Sequence, residues 1–259
     1  MIVKPKIGIF GLTGCSGEQI VILNCEDELL DIAGAVDIRV FATATSENDE
    51  QGPLDIAFVE GSVVKPEEVE VLKKIRRQAK LLVAIGTCAA WGGIPAMHNE
   101  LCREDLCRAV YGGDQEYFKT IPPQPLRAFV KVDYAIPGCP MEKADFLRAV
   151  PMLIHGDLPL QPTYAVCTEC KTRENECLLV TRGQLCLGPL TLAGCDARCP
   201  SYGVACCGCR GPVDEANVAS EVKILQDKGF TLVDIHNALR TFAAPAQVLE
   251  KELSRGITG

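Results

Sequence analysis

Aromatic residues are scarce in this 259-residue chain, with one Trp and 5% Phe, Trp and Tyr together, and only three histidines occur, His98, His155 and His236. None of the three adjoins the cysteine-rich stretches described below, so histidine is not expected among metal ligands. No uninterrupted apolar run approaches the roughly 18 residues that span a bilayer as a helix, so no membrane span is expected. The segment Met1 to Lys6 leads straight into Ile7-Gly8-Ile9-Phe10 with no apolar targeting core and no twin arginine; the expected setting is the reducing cytoplasm. The glycine-rich turns lack the G-x-G-x-x-G and Walker patterns that cradle phosphates, and no nucleophile or general acid stands out. Lys and Arg number 26 against 34 Asp and Glu, a net charge of −8, which speaks against nucleic acid or an anionic membrane as the main partner.

Cysteine, by contrast, is abundant. Fifteen are present, nine of them between Cys167 and Cys209. Eight of those nine form two groups of four: Cys167-x2-Cys170-x6-Cys177-x8-Cys186, then Cys195-x3-Cys199-x6-Cys206-x2-Cys209. A cubane iron-sulfur cluster needs four thiolates around one inorganic core; short steps supply paired ligands from one turn and longer gaps return the others. Cys199-Pro200 echoes the Cys-Pro that closes ferredoxin-type ligand runs. Zinc also binds Cys-x2-Cys pairs, yet a zinc ribbon uses four cysteines and one longer loop. A disulfide framework suits a small secreted domain, which this chain is not.

Upstream, strands and helices alternate. Strand-like runs at Lys6–Leu12, Asp37–Ala42, Asp55–Glu60, Lys80–Ile85 and Phe129–Ile136 are separated by helical spacing at Glu18–Ile32 (Ile20, Leu23, Leu30), Glu67–Gln78 and Asn99–Tyr111, with a further helix at Glu142–Leu153. This order predicts an α/β fold, a doubly wound parallel sheet. Three strands finish close to a cysteine, Cys15, Cys88 and Cys139. The carboxyl edge of such a sheet is where ligands bind, so three thiols distant in sequence are expected to meet there and hold a third cluster; ordinary strand-end turns with buried structural cysteines are the alternative. Cys25, Cys102 and Cys107 read as small hydrophobes on helices. Cys207 competes with Cys206, although the Cys206-x2-Cys209 step favours Cys206. Glu60 and Arg210 read as surface charges, with cluster tuning or partner contact as the other option. The tail carries helical patterns at Glu215–Lys228, at Thr231–Phe242 with Thr231 as N-cap, and at Gln247–Arg255. The expected division is residues 1–158 for the sheet domain and 159–259 for an irregular two-cluster, ferredoxin-like domain with a helical tail.

Several ordered stretches together resemble the small subunit of nickel-iron hydrogenases, particularly the delta subunit of the cytoplasmic, NADP-linked sulfhydrogenase type. They are Phe10-Gly11-Leu12-Thr13-Gly14-Cys15, Val59-Glu60-Gly61-Ser62, Cys88-Ala89-Ala90-Trp91-Gly92-Gly93, Gly138-Cys139-Pro140, Cys186-Leu187-Gly188-Pro189, Gly194-Cys195-Asp196-Ala197-Arg198-Cys199-Pro200 and Cys206 through Pro212. The resemblance implies a flavodoxin-like domain whose proximal cluster, on Cys15, Cys88, Cys139 and one more ligand, faces a hydrogenase-type large subunit holding nickel and iron. It implies a medial cluster on Cys195, Cys199, Cys206 and Cys209 and a distal cluster on Cys167, Cys170, Cys177 and Cys186, both 4Fe-4S, passing electrons to a flavin- or iron-sulfur-bearing subunit that serves NAD(P). The chain departs from the family's Cys-x2-Cys at the first proximal site, where Glu18 stands three residues after Cys15. Either Glu18 is the fourth ligand, or the corner is open and a 3Fe-4S or water-capped cluster forms, or Glu18 simply favours the first turn of its helix. A complex I-like relay without nickel is the near alternative, and a zinc-stabilised interaction protein the remote one.

Overall fold

In a computed structural model the described residues are 4–112 and 119–250. Five strands, β1 (Lys6–Gly11), β2 (Asp37–Phe41), β3 (Leu54–Glu60), β4 (Ala79–Ile85) and β5 (Tyr134–Ile136), form one parallel sheet in the order β2-β1-β3-β4-β5. That order is the flavodoxin-like arrangement, with the strand order, and not the strand direction, reversing between β1 and β3. β3 lies in the middle and reads Leu-Asp-Ile-Ala-Phe-Val-Glu, buried along nearly its whole length, as a strand covered on both faces must be. On one face Ile7, Ile9, Ile56, Phe58, Val83 and Ile85 pack with Ile22 and with Phe146, Ala149 and Leu153 of α6 (Lys143–Ile154). On the other, Ala57, Val59, Leu82 and Ala84 meet Leu72 and Ile75 of α3 (Pro66–Gln78) and Leu126.

The expected helix over Glu18–Ile32 is two helices, α1 (Gly17–Leu23) and α2 (Asp27–Ala35). A turn at Cys25 N–H to Ile22 O, 3.1 Å, and positive φ at Glu26 break it. The break drives Cys25, wholly buried, into the core, and leaves the anticipated apolar positions Ile20 and Leu30 at 49% and 71% exposure. α4 (Gly86–Trp91) begins directly at the end of β4 and carries Cys88; α5 (Arg103–Tyr111) starts later than the pattern suggested, after an extended Cys102. β5 shrinks to three residues because Asp133 interrupts the ladder: its carboxylate, not a backbone oxygen, accepts the Leu82 N–H at 2.9 Å and also pairs with Arg76.

Beyond α6 the chain is mostly irregular, held by short helices at the cysteines: α7 (Val166–Thr172), α8 (Leu178–Thr181) and α9 (Arg198–Ser201). The tail supplies α10 (Val218–Asp227), capped by the Asn217 side chain, and α11 (Leu232–Ala243), whose Thr231 accepts the Asp234 N–H at 3.1 Å. Their apolar faces close over Leu179, Leu187, Leu190 and Trp91, and α11 also touches α4. The last expected helix begins at Gln247; its residues beyond 250 lie outside the described ones. Among the described residues no helix is long and apolar enough to cross a membrane.

Candidate functional site

The loops at the carboxyl edge of the sheet are stitched to one another. After β1, Leu12 N–H bonds Glu60 O and Ser62 N–H bonds Thr13 O, each at 2.8 Å, so the Cys15 loop lies along the end of β3. After β4, Thr87 N–H bonds Gly138 O at 2.8 Å, bringing the Cys88 turn beside the Cys139 loop. The result gathers Cys15, Cys88, Cys139 and Glu18. Burial, then the charges of Cys139, Glu18 and Cys15, push the Cys88 thiol up to about 12. The Cys139 thiol rises to about 11 by burial and then the charges of Glu18, Cys15 and Cys207. Cys15 and Cys139 keep exposed surface, so this edge opens outward.

Glu18 is not a solvated first-turn acid. It is 5% exposed on α1, and its carboxyl fills the space where a side chain on Gly86 (φ +79°) would stand. Burial, with the Glu60 charge next, raises it from 4.5 to about 8, although the Met141 N–H pulls the other way. Oxygens of Glu18 and Glu60 and the Cys15 sulfur lie within 4.8 Å of one another. Glu60 corrects an expectation: at 2% exposure it is no surface charge, and its carboxylate accepts the Gln19 N–H at 3.1 Å. On the far side of Cys88, Gly93 (φ +58°) leaves room that a Cβ would close to 2.5 Å from the thiol sulfur.

The second group surrounds a cavity of about 340 Å³ lined by Cys195, Cys199, Cys206 and Cys209, with Cys139 and Cys207 also on its wall. Burial pushes Cys206 up to about 12. Cys207 goes the other way, down to about 6, because the Cys209 thiol bonds it. Cys206 is buried and points toward Thr191 Oγ1 at 3.6 Å, whereas Cys207 is exposed. Arg210, the other expected surface charge, is 3% exposed and paired with Asp145 at 2.8 Å.

In the first cysteine group Cys167 and Cys170 ride on α7, Cys177 precedes α8, and Cys186 faces the helical tail. Burial first, then Cys186, Cys170, Cys177 and Glu221, raise the Cys167 thiol to about 12. Two acids here escaped the sequence reading. Glu169, inside the Cys167-x2-Cys170 step, accepts the N–H groups of Gly194 (2.7 Å) and Ala197 (3.1 Å) and so fastens this group to the next. Glu221 on α10 is 3% exposed with Oε1 unpartnered, and burial lifts it to about 7. Its place on the inner face of an amphipathic helix was the available signal. Of the other cysteines expected on helices as small hydrophobes, Cys107 lies on α5, Cys102 is the exposed residue ahead of it, and Cys25 sits in the turn between α1 and α2. His98 and His155 are exposed; His236 is buried on α11.

A flavodoxin-like sheet with thiols and a buried acid gathered at its carboxyl edge, followed by a cysteine-rich irregular segment, defines the class of redox subunits built as hydrogenase small subunits. Residues 15–153 match the family described as NADH ubiquinone oxidoreductase, 20 Kd subunit. The chain is 38% identical to sulfhydrogenase 2 subunit delta of Pyrococcus furiosus, over 92% of this chain and 99% of that one. It resembles a subunit of the NAD+-reducing [NiFe]-hydrogenase in the H2-reduced state (TM-score 0.55, 31% identity, 61% of this chain and 96% of that one). The actinobacterial-type NiFe-hydrogenase from Ralstonia eutropha H16 shares the fold over 99% of this chain and 91% of that one, at TM-score 0.59 and 16% identity. The chain belongs to the nickel-iron hydrogenase small-subunit family, and is thus a subunit of an oxidoreductase complex.

Proposed function

We propose that this chain is the electron-relay subunit of a cytoplasmic nickel-iron hydrogenase, holding three iron-sulfur clusters between a large subunit that takes electrons from hydrogen and a flavin- or iron-sulfur-bearing partner that serves NAD(P). The observation that carries the reading is the meeting of Cys15, Cys88 and Cys139, from three different strand ends, at the sheet edge predicted for them. Three features support iron-sulfur clusters as the occupants. Thiols crowded until burial and mutual repulsion hold them protonated release those protons readily only when a cationic core binds the sulfurs in their place. The cavity of about 340 Å³ that the second group shares with the Cys139 loop has room for an inorganic core larger than the single zinc ion that four sulfurs about 2.3 Å away would enclose. Cysteine is also the usual ligand of such cores.

Cys15, Cys88 and Cys139 would hold the proximal cluster with Glu18 as the fourth ligand, its carboxylate already turned toward Cys15. Cys195, Cys199, Cys206 and Cys209 would hold the medial 4Fe-4S cluster, and Cys167, Cys170, Cys177 and Cys186 the distal one. When bound, such clusters supply one-electron transfer without bond changes. The chain's own residues bury the sulfurs, fix their order along the molecule and leave the Cys15–Cys139 edge open toward the large subunit. Glu60, pressed against Glu18, makes that corner more negative and favours the oxidised state of whatever it faces.

A nickel-free relay of the complex I type is the second reading, favoured by the name of the family matched at residues 15–153. The test is Cys88→Ser in the anaerobically purified complex, followed by electron paramagnetic resonance and hydrogen uptake. The proximal signal is expected to change while the other two persist. Loss of all three together contradicts the ligand sets, and wild-type complex lacking nickel and hydrogen uptake favours the second reading.

A further inference from the structure

The cysteines account for where electrons would pause, not for how far apart those places are held. Two buried polar side chains, neither of them a ligand candidate, sit in the wall between the Cys139 loop and the Cys209 loop. Thr87, 1% exposed, precedes Cys88 on α4. Its hydroxyl donates to the Cys209 carbonyl and accepts the Gly138 N–H at 2.9 Å. One oxygen thereby joins the peptide beside a proximal cysteine to the peptide of a medial one, 122 residues away from Thr87. Arg210 directly follows Cys209. Its Nε donates to Ala193 O at 3.1 Å, two residues before Cys195, and its Nη1 to Pro137 O at 3.0 Å, two residues before Cys139. The charge is met by Asp145 Oδ2 of α6 at 2.8 Å.

A buried guanidinium is costly to desolvate, and apolar residues of the same volume often stabilise a core equally well. What the polar version adds is direction. Dispersion contacts tolerate sliding, whereas bonds of 2.8 to 3.1 Å in three directions fix both loops against each other. Electron tunnelling weakens exponentially with distance and passes better along covalent and hydrogen bonds than across gaps, so small changes in this wall weigh directly on transfer.

Building on the cluster reading above, we infer that Thr87 and Arg210 are positioning residues for electron transfer: together they set the separation of the proximal and medial clusters, and the Thr87 hydroxyl completes a bonded bridge running Cys139–Gly138 N–H, Thr87 Oγ1, Cys209 carbonyl. Neither residue touches a reacting atom. Both act through the peptides that carry the thiols.

The experiment uses the holocomplex with Thr87→Val, Thr87→Ser and Arg210→Lys. Iron and acid-labile sulfide are counted, the magnetic splitting between reduced proximal and medial clusters is recorded, and the appearance of the medial signal is timed after rapid reduction with hydrogen. Thr87→Val is expected to keep its iron, lose the wild-type splitting and slow the medial signal, with Thr87→Ser restoring both. If Thr87→Val does not load its clusters, Arg210→Lys carries the test, because it keeps the charge against Asp145 while giving up the bonds to Pro137 and Ala193. Unchanged splitting and timing in the variants that load overturn the inference, as does failure of serine to rescue. A wild-type complex without labile sulfide instead removes the cluster reading itself, so the two failures are distinguishable.

Discussion

In the metal-free, reduced chain, Glu18→Gln is expected to stabilise the fold at alkaline pH and to do nothing at acid pH. Glu18 titrates near 8 in the folded chain against 4.5 when solvated, chiefly through burial and then through Glu60. A raised acid gives the folded state an advantage that is complete below the solvated value and is lost as pH climbs through the folded one. Between those limits each pH unit removes about 1.4 kcal/mol, for a ceiling of about 5 kcal/mol across the window. The amide keeps the shape of the acid and still donates toward Glu60, so little else changes. Urea unfolding of both chains at pH 4.5 and pH 8, the two limits, followed by circular dichroism and Trp91 fluorescence, gives the difference. The variant should match wild type at the lower pH and exceed it by at least about 1 kcal/mol at the higher. A gap that does not depend on pH, or a variant weaker at pH 8, refutes the burial argument. In the loaded protein the sign reverses, since a carboxylate beside a cationic core is favoured when ionised.

Two other substitutions probe the geometry. Gly93→Ala adds a Cβ 2.5 Å from the Cys88 sulfur at φ +58°, ψ −156°, a region essentially restricted to glycine, costing roughly 1–3 kcal/mol for the backbone alone; the expected outcome is selective loss of proximal iron, read by metal analysis and resonance spectra. Asp145→Ala leaves Arg210 charged in a buried place, for a loss of about 3–5 kcal/mol in unfolding free energy, measurable by denaturant titration at neutral pH.

The sheet was readable because four of its five strands are short apolar runs that end at or within two residues of a glycine, Gly11, Gly61, Gly86 and Gly138, and the glycine-cysteine pairing at three strand ends located the edge where thiols meet. α3 was readable from its charge pattern, and α11 from Thr231. Glu60 and Arg210 were misread because a charge declares its burial only through its partners, and those are far along the chain: Asp145 is 65 residues from Arg210, and the Gln19 N–H is 41 from Glu60. The same kind of separation hid Glu169, whose N–H donors, Gly194 and Ala197, lie in the next cysteine group. The break at Glu26 rests on a positive φ at a residue that seldom adopts one, a preference no periodicity records. The departure at Glu18 was visible as a missing cysteine, but its pairing with Glu60 required the fold.

The central claim is that these sulfurs hold inorganic iron-sulfur cores and not single metal ions. Iron, acid-labile sulfide and zinc counted together in the subunit, purified without air alongside its large-subunit partner, address it directly. The account predicts iron and sulfide sufficient for three clusters with no stoichiometric zinc. Zinc in stoichiometric amount with no labile sulfide would contradict it.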